Sequence, residues 1–207
     1  MRYRWLALLA AAGVVMAANI GCSSGPAPKK VEAPAVPVTG LHALYQMYGN
    51  SKQWAPDTQV LALNSLHAGD VRDQPGKAGV WQVTFISQSL GQSRLYTSSA
   101  TEVSMSMHQG VDGAKAEAWT PGRGSEMPFL IAAAKIDSDQ AYEAALKQPA
   151  AAAYAAKNPG MPITYQLAEN KGYSNAVWRV IWGESVGTSS FSVLIDATTG
   201  TYVETLH

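Results

Sequence analysis

Gly79-Val80-Trp81-Gln82-Val83-Thr84-Phe85 returns later in the chain, without a gap, as Ala176-Val177-Trp178-Arg179-Val180-Ile181-Trp182. In the first copy Trp81, Val83 and Phe85 share one face while Gln82 and Thr84 share the other, the period of two of a half-buried strand. Trp178, Val180 and Trp182 repeat the apolar face against Val177, Arg179 and Ile181. Two further segments recur in the same order. Ser99-Ala100-Thr101 falls on Asp196-Ala197-Thr198 at the same spacing, and residues 56–64 lie over residues 162–170, sharing Pro, Thr, Leu, Ala and Asn once a loop nine residues shorter is allowed in the second copy. An internal repeat constrains architecture more than local propensity does, so two halves of like build are expected.

Phe191, Val193 and Ile195 alternate with Ser192 and Asp196 in the next strand. Sheets with one apolar and one mixed face are typically antiparallel and take their helices on the apolar side. The helices can be found as well. Asp137 and Gln140 have capping-box spacing, Ile136 stands where a hydrophobic staple would pack, and Tyr142, Ala145 and Leu146 follow at helical intervals. Pro149 should end or kink that helix, residues 150–157 resume it, and Asn158-Pro159-Gly160 stops it. In the first half Thr39 is the expected N-cap of a helix through Leu44, Tyr45 and Tyr48 that ends before Gly49-Asn50 or slightly later. Ser104-Met105-Ser106-Met107-His108 and residues 114–119 read as further strands around a turn at residues 110–113, and residues 120–125 as a loop between the halves. The expected class is α+β, each half an antiparallel sheet of three or four strands packed on helix. Side by side the halves would make one wide sheet with a mixed, uncovered face.

The order helix, strand, strand, strand, together with the ending Ser192-Val193-Leu194-Ile195-Asp196-Ala197-Thr198-Thr199-Gly200-Thr201-Tyr202-Val203, resembles the PepSY family. Residues 135–207 carry the resemblance directly. The first half shares it through the repeat, with Ser99 and Val103 where the family pattern has Asp and Gly. At the closing turn Asp196 can accept backbone N–H bonds and Gly200 can supply a positive φ. The chain thus divides into residues 39–120, a degenerate first PepSY-like repeat, and residues 121–207, the second.

Arg2 and Arg4 precede an uncharged apolar run over residues 6–18, the basic and hydrophobic regions of an export leader. The run is short of the ~20 residues a mature spanning helix needs. Ala18-Asn19-Ile20-Gly21-Cys22 resembles a bacterial lipobox, in which a small residue precedes a cysteine that is acylated on sulfur, as with palmitate, and becomes the new N-terminus; Asn19 replaces the usual Leu. Residues 1–21 are therefore expected as a lipoprotein signal peptide and residues 22–38, rich in Pro and Ala, as an extended tether. Ser23 after the cysteine, rather than Asp, implies by that resemblance the outer membrane, with the body in the periplasm.

Charged residues make up only 14% of the chain, 15 basic against 15 acidic. Cleavage removes Arg2 and Arg4 but no acid, so 13 basic residues face 15 acids and the formal charge becomes −2. Nothing in that balance attracts nucleic acid. A single cysteine excludes a disulfide framework. His42, His67, His108 and His207 include no i, i+4 pair, so no metal site and no cofactor are expected. No Gly-x-Ser-x-Gly elbow, Walker loop, dinucleotide fingerprint or Ser-x-x-Lys motif is expected. The close acid pairs, Asp70 with Asp73 and Asp137 with Asp139, read as a solvated loop and a helix cap; no catalytic residue is assigned.

Aromatic residues are the better lead. Trp81, Trp178 and Trp182 read as core, whereas Trp54, Trp119 and Tyr173 lie near expected loops and Arg179 on the mixed face. These four are the candidate binding surface. The expected function is a non-catalytic envelope module, joined to the membrane by its N-terminal lipid, that binds a protein or peptide. Protease inhibition is the form the PepSY resemblance implies, and a structural or assembly role is the alternative.

Overall fold

The alternating segments fold as strands of one antiparallel sheet. The computed structural model describes residues 35–67, 71–105 and 107–207. Within them the chain runs β1 (Val38–Thr39), α1 (Gly40–Trp54), β2 (Gln59–Leu66), β3 (Lys77–Ala78), β4 (Val80–Ser87), β5 (Gln92–Ser99), β6 (Gly110–Gly113), β7 (Glu117–Ala118), β8 (Glu126–Met127), α2 (Ser138–Leu146), α3 (Pro149–Lys157), β9 (Ile163–Asn170), β10 (Val177–Trp182), β11 (Phe191–Asp196) and β12 (Tyr202–Leu206). Among the described residues ten strands form a sheet ordered β12-β11-β10-β9-β2-β4-β5-β6, with β7 added to β5 and β8 to β9, while β1 and β3 pair separately. Every pairing is antiparallel. The class is α+β, with helices packed on the sheet. The leader, Cys22 and most of the tether lie outside the described residues.

The seam is the pair β2 and β9, joined at Ala62↔Ala168, Leu63↔Leu167 and Asn64↔Gln166. Outward from it the path is β4, β5, β6 on one side and β10, β11, β12 on the other. Trp81 stands opposite Ser65 and Trp178 opposite Leu167. With the tryptophans superposed, Ser65 therefore corresponds to Leu167, four residues from the match that placed Leu61 there. The shared Pro and Asn of that match are not core residues, and the β2 register breaks between Val60 and Ala62. An even shift leaves each side chain on its face.

Trp81, Val83, Phe85, Trp178, Val180 and Trp182 are buried under the helices. α1 packs over β4 and β5, and α2 over β10 and β11. Each fully buried side chain of this size contributes roughly 1.5–3 kcal/mol. Trp81 and Trp178 meet edge to face at 6.3 Å. Trp81 Nε1 donates to the Val38 carbonyl at 2.9 Å and Trp178 Nε1 to the Ile136 carbonyl at 2.7 Å. Each acceptor lies two residues ahead of a helix, so the indoles fix where α1 and α2 start over the sheet. Gly40 makes that approach possible: a Cβ there would stand 2.5 Å from the Trp178 ring.

The helix starts meet at the same place. Asp137 forms the expected capping box of α2. Its Oδ1 also accepts the Leu41 N–H at 2.8 Å, and Ser138 Oγ accepts the Gly40 N–H at 2.7 Å. Thr39 occupies the N-cap position of α1 with extended backbone, but its side chain makes no capping bond. The other half supplies that cap. Pro149 begins a separate helix, α3, at its first position, where a missing N–H costs nothing.

Several expectations are corrected. α1 continues past Gly49-Asn50 to Trp54 because its last turn is anchored: buried Ser51 Oγ lies 3.3 Å from Thr58 Oγ1, and Lys52 Nζ donates to the Pro56 carbonyl at 2.6 Å. Val38, expected as the end of the tether, pairs with Ala78 and holds Trp81. The expected turn at Gly110–Gly113 is strand β6 on β5, where Gly113 admits the Tyr96 ring; an added Cβ would come within 2.8 Å of it. Among the described residues around Met105 an isolated bridge joins Ser104 and Met107, and of residues 114–119 only Glu117–Ala118 is strand. The closing turn is as expected. Asp196 Oδ1 accepts from Thr198 N and Thr199 N, both at 2.8 Å, and Gly200 has φ +77°.

Candidate functional site

Alternation puts Gln82 and Arg179 on the face away from the helices, and the register lines them up. Across the strands one row reads Asp112, Thr97, Gln82, Asn64, Gln166, Arg179, Leu194, Glu204. Gln82 Nε2 donates to Thr97 Oγ1 at 3.2 Å and, at the seam, Gln166 Nε2 donates to Asn64 Oδ1 at 3.1 Å. Asn64, Gln82, Thr97, Gln166 and Arg179 are all half-buried. The face is not uniformly polar, because Val80, Ala168, Val177, Ile181 and Leu194 on it are buried.

Beside Arg179 the face carries a cleft of about 240 Å³, lined by Gln166, Ala168, Val177, Leu194 and Leu206, with Ser125, Asn170 and Tyr173 at its rim. Arg179 Nε donates to Ser192 Oγ at 2.9 Å. Burial lowers the Arg179 pKa, opposed by the nearby Tyr173 oxygen. Tyr173 donates its hydroxyl to Glu204, and that bond, together with burial, raises its own pKa. Tyr173 and Arg179 are thus brought together. The other two candidates are elsewhere. Trp54, at the end of α1, packs partly on the core and lines a separate cleft of about 340 Å³ with Arg94, Tyr96 and Asp112. Trp119, half-buried, donates its backbone N–H to the Gly91 carbonyl at the β4–β5 hairpin. The four do not form one surface.

A larger cavity, about 510 Å³, opens where β2 and β9 splay apart beyond the seam, lined by His67, Arg72, Asp73, Pro75, Met161 and Tyr165 among others. Asp73 is not merely a solvated loop acid. Its Oδ2 lies 2.5 Å from His67 Nδ1 and its Oδ1 accepts the Gly79 N–H at 3.2 Å. His67 Nε2 in turn is 3.0 Å from Thr164 Oγ1. The bond to Asp73 raises the His67 pKa, against the opposing effect of burial.

Acid, imidazole and hydroxyl in line are the parts of a hydrolase triad, but the hydroxyl is wrongly committed. Thr164 Oγ1 donates to the Gly183 carbonyl at 2.7 Å, so towards His67 it accepts a hydrogen bond instead of donating one. Thr164 is 4% exposed, and among the described residues the cavity lining holds no Ser, Thr or Cys. The Tyr165 phenol there is held protonated by burial and accepts the Gly76 N–H at 2.7 Å. One motif escapes the sequence reading. Gly183-Glu184-Ser185-Val186-Gly187 has the Gly-x-Ser-x-Gly spacing of a nucleophile elbow, which requires a strand, a sharp turn and a helix. Here it joins β10 to β11 as a hairpin loop, and Ser185 Oγ bonds Thr188 Oγ1 at 2.8 Å.

The remaining histidines do not converge. His42 pairs with Gln46 on α1, His108 with Glu102 in an exposed loop, and His207 packs on Phe191. Among the described residues no group of three His, Cys, Asp or Glu could hold a metal, and no helix is long and apolar enough to cross a membrane. Asp70 lies outside the described residues.

No protein-family profile matches the sequence, and no curated protein does. A solved structure described as a candidate lipoprotein of Clostridium difficile 630 is similar at 13% identity, with 84% of this chain and 95% of that chain covered and a TM-score of 0.44.

Proposed function

We propose that the chain is a lipid-anchored binding module of the cell envelope, built from two PepSY-like repeats, that recognises a protein or peptide partner without catalysing a reaction. The observation that carries the reading is the half-buried row Thr97, Gln82, Asn64, Gln166, Arg179 on the sheet face opposite the helices. Backbone groups inside a sheet are already paired, so such a face recognises through side chains, and a row of amides offers donors and acceptors at strand spacing. The committed hydroxyl of Thr164 supports the non-catalytic part of the reading. The leader and Cys22 support the anchor: each buried CH₂ of an acyl chain contributes ~0.8 kcal/mol, and more than one chain gives stable attachment. Ser23 favours the outer membrane, with the body in the periplasm. Inhibition of a protease is the form of the role that the PepSY resemblance favours.

Two readouts on one strain test this. Metabolic labelling with an alkynyl palmitate should mark the protein and be lost in Cys22→Ser. The immobilised chain should retain a defined protein from envelope extract, and Gln82→Lys with Thr84→Arg should abolish the retention while the melting curve is unchanged. A folded chain that repeatedly retains nothing, with a phenotype lost in Cys22→Ser, would assign a structural or assembly role instead. Hydrolysis of an ester or peptide substrate that disappears in His67→Ala would overturn the non-catalytic reading.

A further inference from the structure

Among the described residues Arg179 is a cation without a counter-charge. Among the described residues the ion pairs are His67 with Asp73 and His108 with Glu102. Glu204, the acid at the end of the same cross-strand row, is engaged by the Tyr173 hydroxyl and is not in ion-pair range of the guanidinium. Among the described residues the one bond Arg179 makes uses Nε, to Ser192 Oγ at 2.9 Å. That bond fixes the side chain and leaves both terminal nitrogens, the fork that matches a carboxylate bidentately, without a protein acceptor. A half-buried charge held this way is costly unless something pairs with it. The lowered pKa of the group, caused by its burial, has the same origin.

The surroundings narrow the ligand. Val177, Ala168, Leu194 and Leu206 wall the cleft beside the guanidinium, and Gln166, bonded to Asn64, stands next to it in the row. At about 240 Å³ the space is smaller than the roughly 300 Å³ at which pockets for drug-sized ligands begin. An Asp or Glu within a chain would bring polar backbone on both sides into this apolar pocket. The last residue of a chain brings a carboxylate and its own side chain together and ends there.

We propose that the cleft at Arg179 is a capture site for the free C-terminal carboxylate of a peptide or protein whose last residue is apolar. The inference rests on the binding-module reading and gives its partner a chemistry. Arg179 pairs end-on with the carboxylate, the apolar walls take the terminal side chain, and Gln166 and Asn170 lie within the site for the preceding peptide group.

The test uses the full chain in detergent on two arrays of the same random hexapeptides, one ending in a free carboxylate and one in a carboxamide. A third array carries one internal Asp and an amidated end. Retention on the free-carboxylate array is expected at least tenfold above both others, strongest for Leu, Val, Ile and Met at the last position. Arg179→Gln should bring it down to the carboxamide level. Gln166→Glu, which hands Arg179 an internal carboxylate, should do the same, so a folding defect in one variant leaves the other decisive. Equal retention on all arrays, a preference for internal Asp, a preference that survives Arg179→Gln, or no retention at all would each overturn the proposal. If a partner is still retained from envelope extract in any of those cases, the binding-module reading stands and only the carboxylate site falls.

Discussion

Asp137→Ala should destabilise this protein far more than Thr39→Ala, although the two residues occupy the same position ahead of their helices. Beside its capping box, Asp137 Oδ1 accepts from Ser138 N at 2.7 Å at the start of its own helix and from Leu41 N at 2.8 Å at the start of α1. Loss of an N-cap costs about 1 kcal/mol, and a part-buried N–H left without its acceptor about as much or more. The sum is about 2–3 kcal/mol, a large share of the ~5–15 kcal/mol that holds a domain together. Thr39, whose side chain caps nothing, should cost no more than about 0.5 kcal/mol when replaced by Ala. Urea unfolding followed by tryptophan fluorescence measures both, and the slope should not change. The melting temperature of Asp137→Ala should fall by about 4–12 °C at this chain length. Asp137→Asn keeps an acceptor oxygen in place and should recover most of the loss. If Thr39→Ala proves as damaging as Asp137→Ala, or Asp137→Asn as damaging as Ala, the two helix starts are not held by one shared acceptor.

Gly40→Ala forces a Cβ to within 2.5 Å of the Trp178 ring; calorimetry should show an overpacking loss of about 1–3 kcal/mol. Tyr165→Phe strips the acceptor from the buried Gly76 N–H and should cost about 1–3 kcal/mol in urea. His67 adds a pH dependence. Asp73 raises its pKa in the folded chain, so protonation favours folding. That stabilisation is complete below the unfolded-state value of about 6.5 and is lost as pH rises through the raised folded value. Between pH 5.5 and 9 the urea midpoint should therefore fall, and His67→Gln should flatten that fall; an unchanged slope in the variant would show that the pairing with Asp73 contributes nothing.

What the sequence revealed was local. The Asp137 capping box, the break at Pro149, the Asp196 turn and the alternation of Trp81 to Phe85 and of Trp178 to Trp182 depend on neighbours a few residues away, and each is present in the fold. What it hid was contact between distant residues. α1 outlasts Gly49-Asn50 because Ser51 finds Thr58, and Gly110–Gly113 is strand because Tyr96 needs the space that a glycine leaves. For the site, the period of two placed Arg179 on the mixed face. Its meeting with Tyr173, and the scattering of Trp54 and Trp119, depended on sheet order and loop paths that no spacing encodes. The pairing of His67 with Asp73 spans only six residues, yet its significance rests on Thr164, almost a hundred residues on.

The central claim is that partners dock on the sheet face opposite the helices. A photo-cross-linking amino acid placed singly at Gln82, Thr84 and Thr97, and for comparison at Tyr45 and Gln53 on α1, reads that contact in intact envelopes. The account predicts an adduct of one defined partner from the first three positions and none from the two on α1. Adducts confined to Tyr45 and Gln53 would contradict it.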